Sequence, residues 1–333
     1  MKKILNRPAD YVDEMLQGLV AAHPEALRRL GDDGRVIARA GGAVPGKVGI
    51  VTGGGSGHLP VFLGYVGQGL LDACAVGNVF AGPRVADCQA AAQAADGGAG
   101  VLFLYGNYGG DRMNFEMAQE LLELDGVACD AVRVADDVAS APPAEASKRR
   151  GVAGMVFAFK CAGARAAEGA SLAEVAAVAR RVAGAARSIG VALTPCVVPE
   201  SGQASFTIAD DEIEFGMGIH GEPGIWRGKL KSADELAQEM LDRLLPELGL
   251  QRGSRVAVLV NSLGATPHEE LYIVYRHVAR VLESIGATAV MPLVGRYATS
   301  MEMAGASLTL MPLDAELERL LKAPADCPFW RVG

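Results

Sequence analysis

The sequence is organised around the stretch Val48-Gly49-Ile50-Val51-Thr52-Gly53-Gly54-Gly55-Ser56-Gly57-His58, in which an apolar run leads into glycines and a histidine. The apolar residues 48–51 predict a buried strand. Four glycines and one serine in five positions allow positive φ and bare backbone N–H groups, so they predict a loop closing on a small polar ligand. A plain strand-to-helix turn is the alternative, because glycines punctuate most α/β chains.

Two nucleotide-binding motifs are nearly matched here, and both fail. The Rossmann fingerprint that Gly53 and Gly55 begin needs a third glycine where His58 stands. The segment 41–48 imitates a P-loop, but it ends in valine where a metal-binding Ser or Thr belongs, and it precedes its strand. Neither segment therefore predicts a nucleotide site, and we interpret 41–48 as a surface turn.

Composition limits the class of protein. The chain has 333 residues, of which 50% are hydrophobic and 21% charged, enough for a large core and two domains. A net charge of −8 with scattered Lys and Arg argues against a nucleic-acid partner. No apolar run is long enough for a membrane span or signal peptide, so we expect a cytoplasmic protein without membrane association. Six dispersed cysteines predict reduced thiols and no metal site.

Apolar runs and helix signals alternate along the chain. Further strands are predicted at 71–76, 101–105, 131–134, 152–159, 191–198, 256–260 and 287–294. Helices are predicted at 113–124 and after Ser171, Ser232 and Thr266, with ends at Gly190, Gly249 and Gly286. This alternation predicts an α/β fold. The change from one series to the next near Gly190 predicts domains at 1–190 and 191–333.

Three glycine-rich segments each carry one ionisable side chain. They are His58 above, Asp111 in Gly106-Asn107-Tyr108-Gly109-Gly110-Asp111, and His220 in Gly218-Ile219-His220-Gly221-Glu222-Pro223-Gly224. Open α/β sheets bind ligands in loops that follow strands. Each histidine alone is more often a hydrogen-bonded structural group. The remaining histidines fall on predicted helices or their first turns and are assigned to surface or core packing: His23, His268 and His277.

The three segments in this order resemble the substrate-binding subunit of the dihydroxyacetone kinase family. The resemblance runs from Leu16-Gln17-Gly18-Leu19 to the segment 300–321. It implies two α/β domains with mixed sheets flanked by helices, usually as a homodimer. It also implies a short ketose such as dihydroxyacetone bound between the glycine segments, and a place in glycerol metabolism.

The resemblance further implies a role for each reactive residue. His220 would add covalently to the substrate ketone as a hemiaminal, which selects carbonyl compounds over polyols such as glycerol. Asp111 would be the general base on the hydroxyl to be phosphorylated, and His58 would bind the substrate and assist proton transfer. The substrate-binding set is completed by Gly55, Ser56, Gly57 and Gly106.

Phosphoryl transfer also needs groups that bind the donor's phosphates, usually with a metal ion. The sequence offers no candidate, so we expect no cofactor on this chain. Family members use a separate all-helical nucleotide-binding subunit or domain, so the donor would be ATP with Mg²⁺ or a phosphotransferase-system protein, acting through that partner. The alternative is a non-catalytic ketose sensor or co-regulator, which would have no use for Asp111 as a base.

Two positions depart from the best-known family pattern. Leu59 stands where that pattern has Glu, and Gly106 stands where it has Lys. If only the Glu or only the Lys of that pattern were lost, the remaining charge would be left without its partner. Loss of both therefore indicates that the two positions changed together. We expect a less polar and roomier pocket with a preference for a four-carbon ketose such as erythrulose.

Overall fold

The computed structural model describes residues 2–333, and over these residues two sheets of six strands and eight α-helices form the predicted α/β fold. The strands are β1 (Leu27–Leu30), β2 (Val36–Arg39), β3 (Gly49–Ser56), β4 (Ala73–Val79), β5 (Val101–Gly106), β6 (Cys129–Val134), β7 (Arg187–Ala192), β8 (Glu212–Phe215), β9 (Trp226–Lys229), β10 (Arg255–Ser262), β11 (Thr288–Gly295), β12 (Gly305–Leu313), β13 (Ala325–Cys327) and β14 (Trp330–Val332). The helices are α1 (Tyr11–Ala22), α2 (Val85–Ala95), α3 (Gly109–Leu124), α4 (Met155–Ala167), α5 (Leu172–Ala185), α6 (Ala233–Leu248), α7 (His268–Ser284) and α8 (Ala315–Lys322).

Both large sheets are mixed, as the family resemblance implies. The first has the order β1-β2-β4-β3-β5-β6, and its strands β3 to β6 run parallel. The second has the order β11-β10-β12-β7-β8-β9, with only β10 and β11 parallel. In the first sheet the chain leaves β3 for β4 on one side and later reaches β5 on the other. This reversal opens a crevice at the carboxyl end of β3, where α/β sheets bind ligands.

The two sheets share a central layer of helices. Helices α2 and α3 cover the outer face of the first sheet, and α6 and α7 cover the outer face of the second. Between the sheets lie α4, α5 and α8, where Leu104 of the first sheet and Leu259 of the second join one core with Phe157 of α4. Burial of apolar surface on both faces of each sheet thus holds the two halves together.

The division at residue 190 stays a prediction. Strand β7 crosses this position and belongs wholly to the second sheet. The C-terminal segment returns to the first half, since Asp326 pairs with Gln68 and the buried Lys160 of α4 donates to the Leu320 carbonyl, 2.7 Å away. The order of elements along the chain therefore does not separate two independent units.

Three predicted elements are wrong at their type or end. The strand predicted at 191–198 is extended only at Val191 and Ala192, the last residues of β7. The segment 152–159 is not a strand, because α4 begins at Met155 and is buried on all sides. A fully buried helix has a continuous apolar sequence, which periodicity does not distinguish from a buried strand. Helix α5 begins with the predicted Ser171–Glu174 capping box but ends at Ala185. Gly190 lies inside β7, where pairing with β12 determines the conformation.

Other local signals are confirmed. Ser232 and Glu235 form the second predicted capping box, and Gly249 ends α6 in the left-handed conformation. All six cysteines are free thiols, and five of them are buried. Within residues 2–333, no helix combines the length and the apolar composition needed to cross a bilayer.

The glycine-rich stretch 53–56, which was expected to form a loop, is the end of strand β3. Residues Gly53, Gly54 and Gly55 lie in β3, paired with β4. Their role is close approach: a Cβ on Gly54 would lie 2.0 Å from the Phe62 ring, and one on Gly55 would lie 2.7 Å from the Ala81 nitrogen. The positive φ expected for this segment occurs only afterwards, at Gly57 (103°).

Gly54→Ala is expected to lower the free energy of unfolding by about 1–3 kcal/mol, because the added methyl group must displace the Phe62 ring. Gly184→Ala in α5 is the matched control, since a Cβ there meets no atom within 4 Å. It should raise stability by roughly 0.5–1 kcal/mol through helix propensity. Urea unfolding of both variants measures the difference, and equal midpoints would refute the crowding argument.

Candidate functional site

The three reactive side chains approach the crevice from different elements. His58 follows β3, and Asp111 lies in the first turn of α3, directly after β5. His220 comes from the second half, on the connection between β8 and β9. The ring centroids of His58 and His220 are 4.7 Å apart, and the Asp111 carboxyl lies within the electrostatic influence of His220. The predicted residues are thus brought to one site between the two sheets.

His58 is held in one tautomer. Its Nδ1 lies 2.7 Å from the Thr299 carbonyl oxygen, which only accepts hydrogen bonds, so Nδ1 carries the proton. The Nε2 atom is buried and has no hydrogen-bond partner within residues 2–333. Burial, assisted by the charge of His220, lowers the pKa of His58 to about 3. At neutral pH the ring is therefore uncharged, with the Nε2 lone pair free to accept a hydrogen bond.

Phe80 is a site residue that the sequence did not predict. Its ring stacks on His58 at 5.0 Å and meets His220 edge-on at 5.6 Å. The residue follows β4 with a φ of 58°, in the left-handed region that bulky residues rarely adopt. A Cβ on Gly57 would lie 2.8 Å from its ring. Because the partners of Phe80 come from other elements, no local pattern identifies it.

His220 is oriented by Glu222. The His220 Nδ1 lies 2.9 Å from Glu222 Oε1. Burial alone would raise the pKa of Glu222, but the hydrogen bond and charge of His220, together with the Arg150 guanidinium, lower it to about 2. An ionised carboxylate only accepts hydrogen bonds, so Nδ1 of His220 carries a proton in this contact, and in the neutral tautomer the lone pair belongs to Nε2. A carboxylate two residues after the histidine was the available sequence signal for this role.

Arg150 connects Glu222 to the buried interior. Its guanidinium lies 3.9 Å from Glu222, 2.8 Å from the buried Asp137 and 3.2 Å from the Gly216 carbonyl oxygen. Three partners from separate segments fix its position. The carboxylate that orients His220 is thus itself fixed, which preserves the direction of the Nε2 lone pair.

Tyr108 lies on another side of His220. The two ring centroids are 4.7 Å apart, edge to face. The Tyr108 hydroxyl oxygen is buried and has no hydrogen-bond partner among the residues that the structure describes. Burial, with the charge of Glu222, raises the pKa of this phenol well above its ordinary value, so it stays a protonated donor.

Asp111 is buried against a glycine. A Cβ on Gly82 would lie 2.5 Å from Asp111 Oδ1, so only glycine permits this approach. The same Oδ1 is buried without a hydrogen-bond partner in the described part of the chain. Burial raises the pKa of Asp111 to about 6, opposed by the charge of His220. The carboxylate is therefore ionised at neutral pH and a stronger proton acceptor than an exposed aspartate.

The small residues predicted to cradle the ligand lie at the carboxyl end of β3. The Ser56 hydroxyl donates to the Gly77 carbonyl oxygen at 2.8 Å, so its side chain is already engaged within the sheet. Gly57 accepts a backbone hydrogen bond from Met301 at 2.7 Å, which ties the end of β3 to the second half. A ligand at Gly55, Ser56 and Gly57 could therefore contact backbone atoms but no free side-chain group.

The two departures from the family pattern differ in surroundings. Leu59 is half-buried and packs against the central core. A Cβ on Gly106 would lie 3.2 Å from Met155 Sδ and 3.3 Å from the Tyr108 ring. A thioether and an aromatic ring thus already fill the position beside Gly106, so these surroundings are apolar as expected but not roomier.

Metal ligands are not grouped in the described chain. Residues 2–333 contain no cluster of three or more His, Cys, Asp or Glu side chains arranged to hold a metal ion.

A family model and individual relatives of known function match this chain over nearly its whole length. Residues 17–329 match the family model of the Dak1 domain. The PTS-dependent dihydroxyacetone kinase 1, dihydroxyacetone-binding subunit DhaK of Listeria innocua is 45% identical over 331 residues, which cover 99% of this chain and 100% of the relative. The L-erythrulose kinase of Pectobacterium atrosepticum is 44% identical over 337 residues, covering 100% of this chain and 57% of the relative.

Solved structures agree with this assignment. The dihydroxyacetone kinase of C. freundii superposes with a TM-score of 0.91 at 33% identity, over 99% of this chain and 60% of that one. The dihydroxyacetone kinase operon co-activator Dha-DhaQ superposes with a TM-score of 0.87 at 32% identity, over 94% of this chain and 96% of that one. The chain therefore belongs to the Dak1 domain family, the substrate-binding subunits of dihydroxyacetone and erythrulose kinases, which are phosphotransferases.

Proposed function

We propose that this chain holds a short ketose as a hemiaminal on His220 while a separate subunit phosphorylates the ketose's terminal hydroxyl. The observation that carries the proposal is the contact between His220 Nδ1 and the ionised Glu222, 2.9 Å apart. This contact leaves the Nε2 lone pair free in a crevice lined by aromatic rings. A neutral imidazole nitrogen is a good nucleophile toward a carbonyl carbon near pH 7.

The adduct forms by addition without a leaving group. The Nε2 lone pair of His220 makes a bond to the ketone carbon, and the carbonyl π electrons become an oxygen lone pair that takes a proton from solvent. The ring gains a positive charge, which the Glu222 carboxylate neutralises until the Nδ1 proton is released to solvent. Polyols lack the carbonyl carbon, so the same site discriminates against glycerol.

Proton removal from the tethered substrate falls to Asp111. Its carboxylate accepts the proton of the terminal hydroxyl as that oxygen bonds to the donor's phosphorus, while the bond between phosphorus and the rest of the donor breaks and its electron pair leaves with the donor. The unpartnered Nε2 of His58 accepts a hydrogen bond from the substrate and holds the hydroxyl toward Asp111. Backbone at Gly55, Ser56, Gly57 and Gly106 encloses the remaining carbons.

The phosphoryl donor belongs to a partner. The name of the Listeria innocua relative describes PTS dependence. The C. freundii enzyme, of which this chain matches 61%, was crystallised with AMP-PNP and Mg²⁺. We infer a helical nucleotide-binding partner subunit of either donor type, a homodimeric substrate subunit and a cytoplasmic location.

A ketose-dependent co-regulator is the second candidate, favoured by the similarity to the operon co-activator Dha-DhaQ. Asp111 distinguishes the two functions. A sensor needs a pocket and a tether, but it has no use for a buried carboxylate poised to accept a proton.

The test is ¹³C NMR of the purified chain with ketoses labelled at the carbonyl carbon. We expect the bound carbon to move from the ketone region to the region of saturated carbons. Titration with dihydroxyacetone and both erythrulose enantiomers should favour an erythrulose by about tenfold or more, since one added carbon in an apolar pocket supplies ~1–3 kcal/mol. A bound ketose that keeps its ketone carbon would refute the covalent tether. Tenfold tighter binding of dihydroxyacetone would refute the preference alone.

A further inference from the structure

Gly218 lies two residues before His220, at the point where the side chains of Glu222 and Arg150 approach each other. A Cβ on Gly218 would lie 2.2 Å from Glu222 Oε2 and 2.6 Å from Arg150 Nη1. Gly218 does not have a positive φ, so backbone conformation does not explain a glycine at this position. The position instead requires the space that any side chain would occupy.

Arg150 is anchored to Asp137 and not to Glu222. Its Nε and Nη2 atoms lie 2.9 Å and 2.8 Å from Asp137 Oδ2, whereas its Nη1 atom lies 3.9 Å from Glu222 Oε2. Asp137 is itself fixed, because its Oδ1 accepts from the Ala139 backbone N–H at 3.0 Å and its own N–H donates to the Arg150 carbonyl at 3.1 Å. The guanidinium therefore lies beside Glu222 without a hydrogen bond to it.

Both oxygens of Glu222 are used by His220. Oε1 accepts from the His220 Nδ1 at 2.9 Å, and Oε2 accepts from the His220 backbone N–H at 3.0 Å. A guanidinium released from Asp137 can bind both oxygens of a carboxylate in a bidentate pair. The Nδ1 atom of His220 would then lose its acceptor. Arg150 is thus a potential competitor for Glu222, and the charge of Asp137 restrains it.

We propose that Asp137 and Gly218 are positioning residues for covalent ketose binding. Asp137 holds Arg150 off Glu222, and Gly218 leaves the space in which Glu222 and Arg150 lie side by side. Both residues act through Glu222 on the orientation of His220. This inference rests on the proposed function, because it takes His220 as the residue that tethers the ketose.

The first experiment compares Gly218→Ala with Gly190→Ala as the matched control. The methyl group at 218 meets only the ends of two flexible side chains, Glu222 and Arg150, so these should move while the urea midpoint stays close to that of the wild type. At 190 the methyl group makes an ordinary contact, 3.5 Å from the Met217 carbonyl oxygen.

The probe for both variants is dihydroxyacetone labelled at the carbonyl carbon, titrated by ¹³C NMR. We expect Gly218→Ala to weaken adduct formation by about tenfold or more, the lower end of the effect found when a metal-bound histidine loses its orienting group. Gly190→Ala should match the wild type. Adduct formation by Gly218→Ala at the level of this control would overturn the role of Gly218.

The second experiment is a double-mutant cycle of Asp137→Asn and Arg150→Met, assayed after reconstitution with the phosphoryl-donor subunit of the Listeria innocua kinase. If Asp137 acts by restraining Arg150, its replacement should raise KM for the ketose with kcat unchanged, and should change KM by less than about twofold once Arg150 is absent. A purely structural role would lower the active fraction, and with it kcat, and leave KM unchanged. Equal effects of Asp137→Asn in both backgrounds would also contradict the proposal.

A failure of the proposed tether is measured separately. If the ketose bound to the wild type keeps its ketone carbon, the tether is refuted, and the proton NMR signal of His220 Nδ1–H then tests the positioning alone. A hydrogen bond to a carboxylate moves this signal downfield. We expect the downfield signal in the wild type and in Gly190→Ala, and its loss in Gly218→Ala. Its persistence in Gly218→Ala would show that Glu222 needs no space at this glycine.

Discussion

Replacing His220 by alanine is expected to eliminate the ketose adduct and to lower kcat/KM in the reconstituted system by about three orders of magnitude, or ~4 kcal/mol of transition-state stabilisation. The substitution removes the imidazole that Glu222 orients, the Nδ1 of His220 being 2.9 Å from Glu222 Oε1. Intact-mass spectrometry after trapping measures the adduct, and circular dichroism checks that the fold persists. Survival of the adduct in the alanine variant would move the tether to another residue.

Glu222→Gln provides the graded control. The amide oxygen can still accept from His220 Nδ1, but the negative charge that neutralises the ring during addition is gone. We expect a smaller loss of about 10- to 100-fold, the range found when a carboxylate that orients a metal-bound histidine is replaced. A loss equal to that of the alanine variant would mean that the charge, and not the orientation, carries the effect.

Asp111→Asn is expected to lower kcat by about 10²- to 10⁴-fold while leaving the adduct on His220 intact, because the amide cannot accept the substrate's proton. Steady-state kinetics with a saturating donor subunit measures kcat, and the ¹³C signal of the bound ketose measures the adduct. Full turnover in this variant would remove Asp111 from the reaction. Simultaneous loss of the adduct would indicate that Asp111 positions the ketose.

The pH dependence of the wild type offers an independent check. Burial raises the pKa of Asp111 to about 6, so the carboxyl is protonated, and inactive as a base, below that pH. The kcat of the reconstituted system should therefore rise with pH through about 6 and then become constant. His58, with a pKa lowered to about 3, contributes no step in this range. The acidic limb should disappear from the residual rate of Asp111→Asn, and its persistence would assign the limb to another group.

Sequence patterns predicted the elements whose signals are local. The strand at β5 follows from five apolar residues between glycines, and α6 follows from a capping box and a terminal glycine. Helix α4 was misread because burial on all sides removes the polar stripe by which a helix is recognised. The glycines of β3 were misread because their cause, the approach of Phe62 and the Phe80–Ala81 backbone, lies in other segments.

The residues of the site likewise fall into those that a local motif identifies and those that only tertiary contacts identify. His58, Asp111 and His220 were found because each ends or interrupts a glycine-rich motif, and the motifs together resemble one family. Phe80 and Arg150 carry no such signal, since each acts through side chains brought near by the packing of the two sheets. Tyr108 lies within the second motif, but its place in the site depends on its contact with His220 from the other half of the chain. The raised pKa of Asp111 could not be predicted from the sequence either, because it depends on burial of the carboxyl against Gly82.

The crowded glycines of β3 also limit which positions around this site can accept a side chain. At Gly54 and Gly55 any side chain collides with a ring or backbone, so we expect a substitution there to destabilise β3 before it can alter substrate choice. Gly109 and Gly110 border the same crevice from open space and can accept side chains without repacking. Directed evolution toward new ketoses should therefore accumulate its accepted changes at the start of α3, with β3 left unaltered.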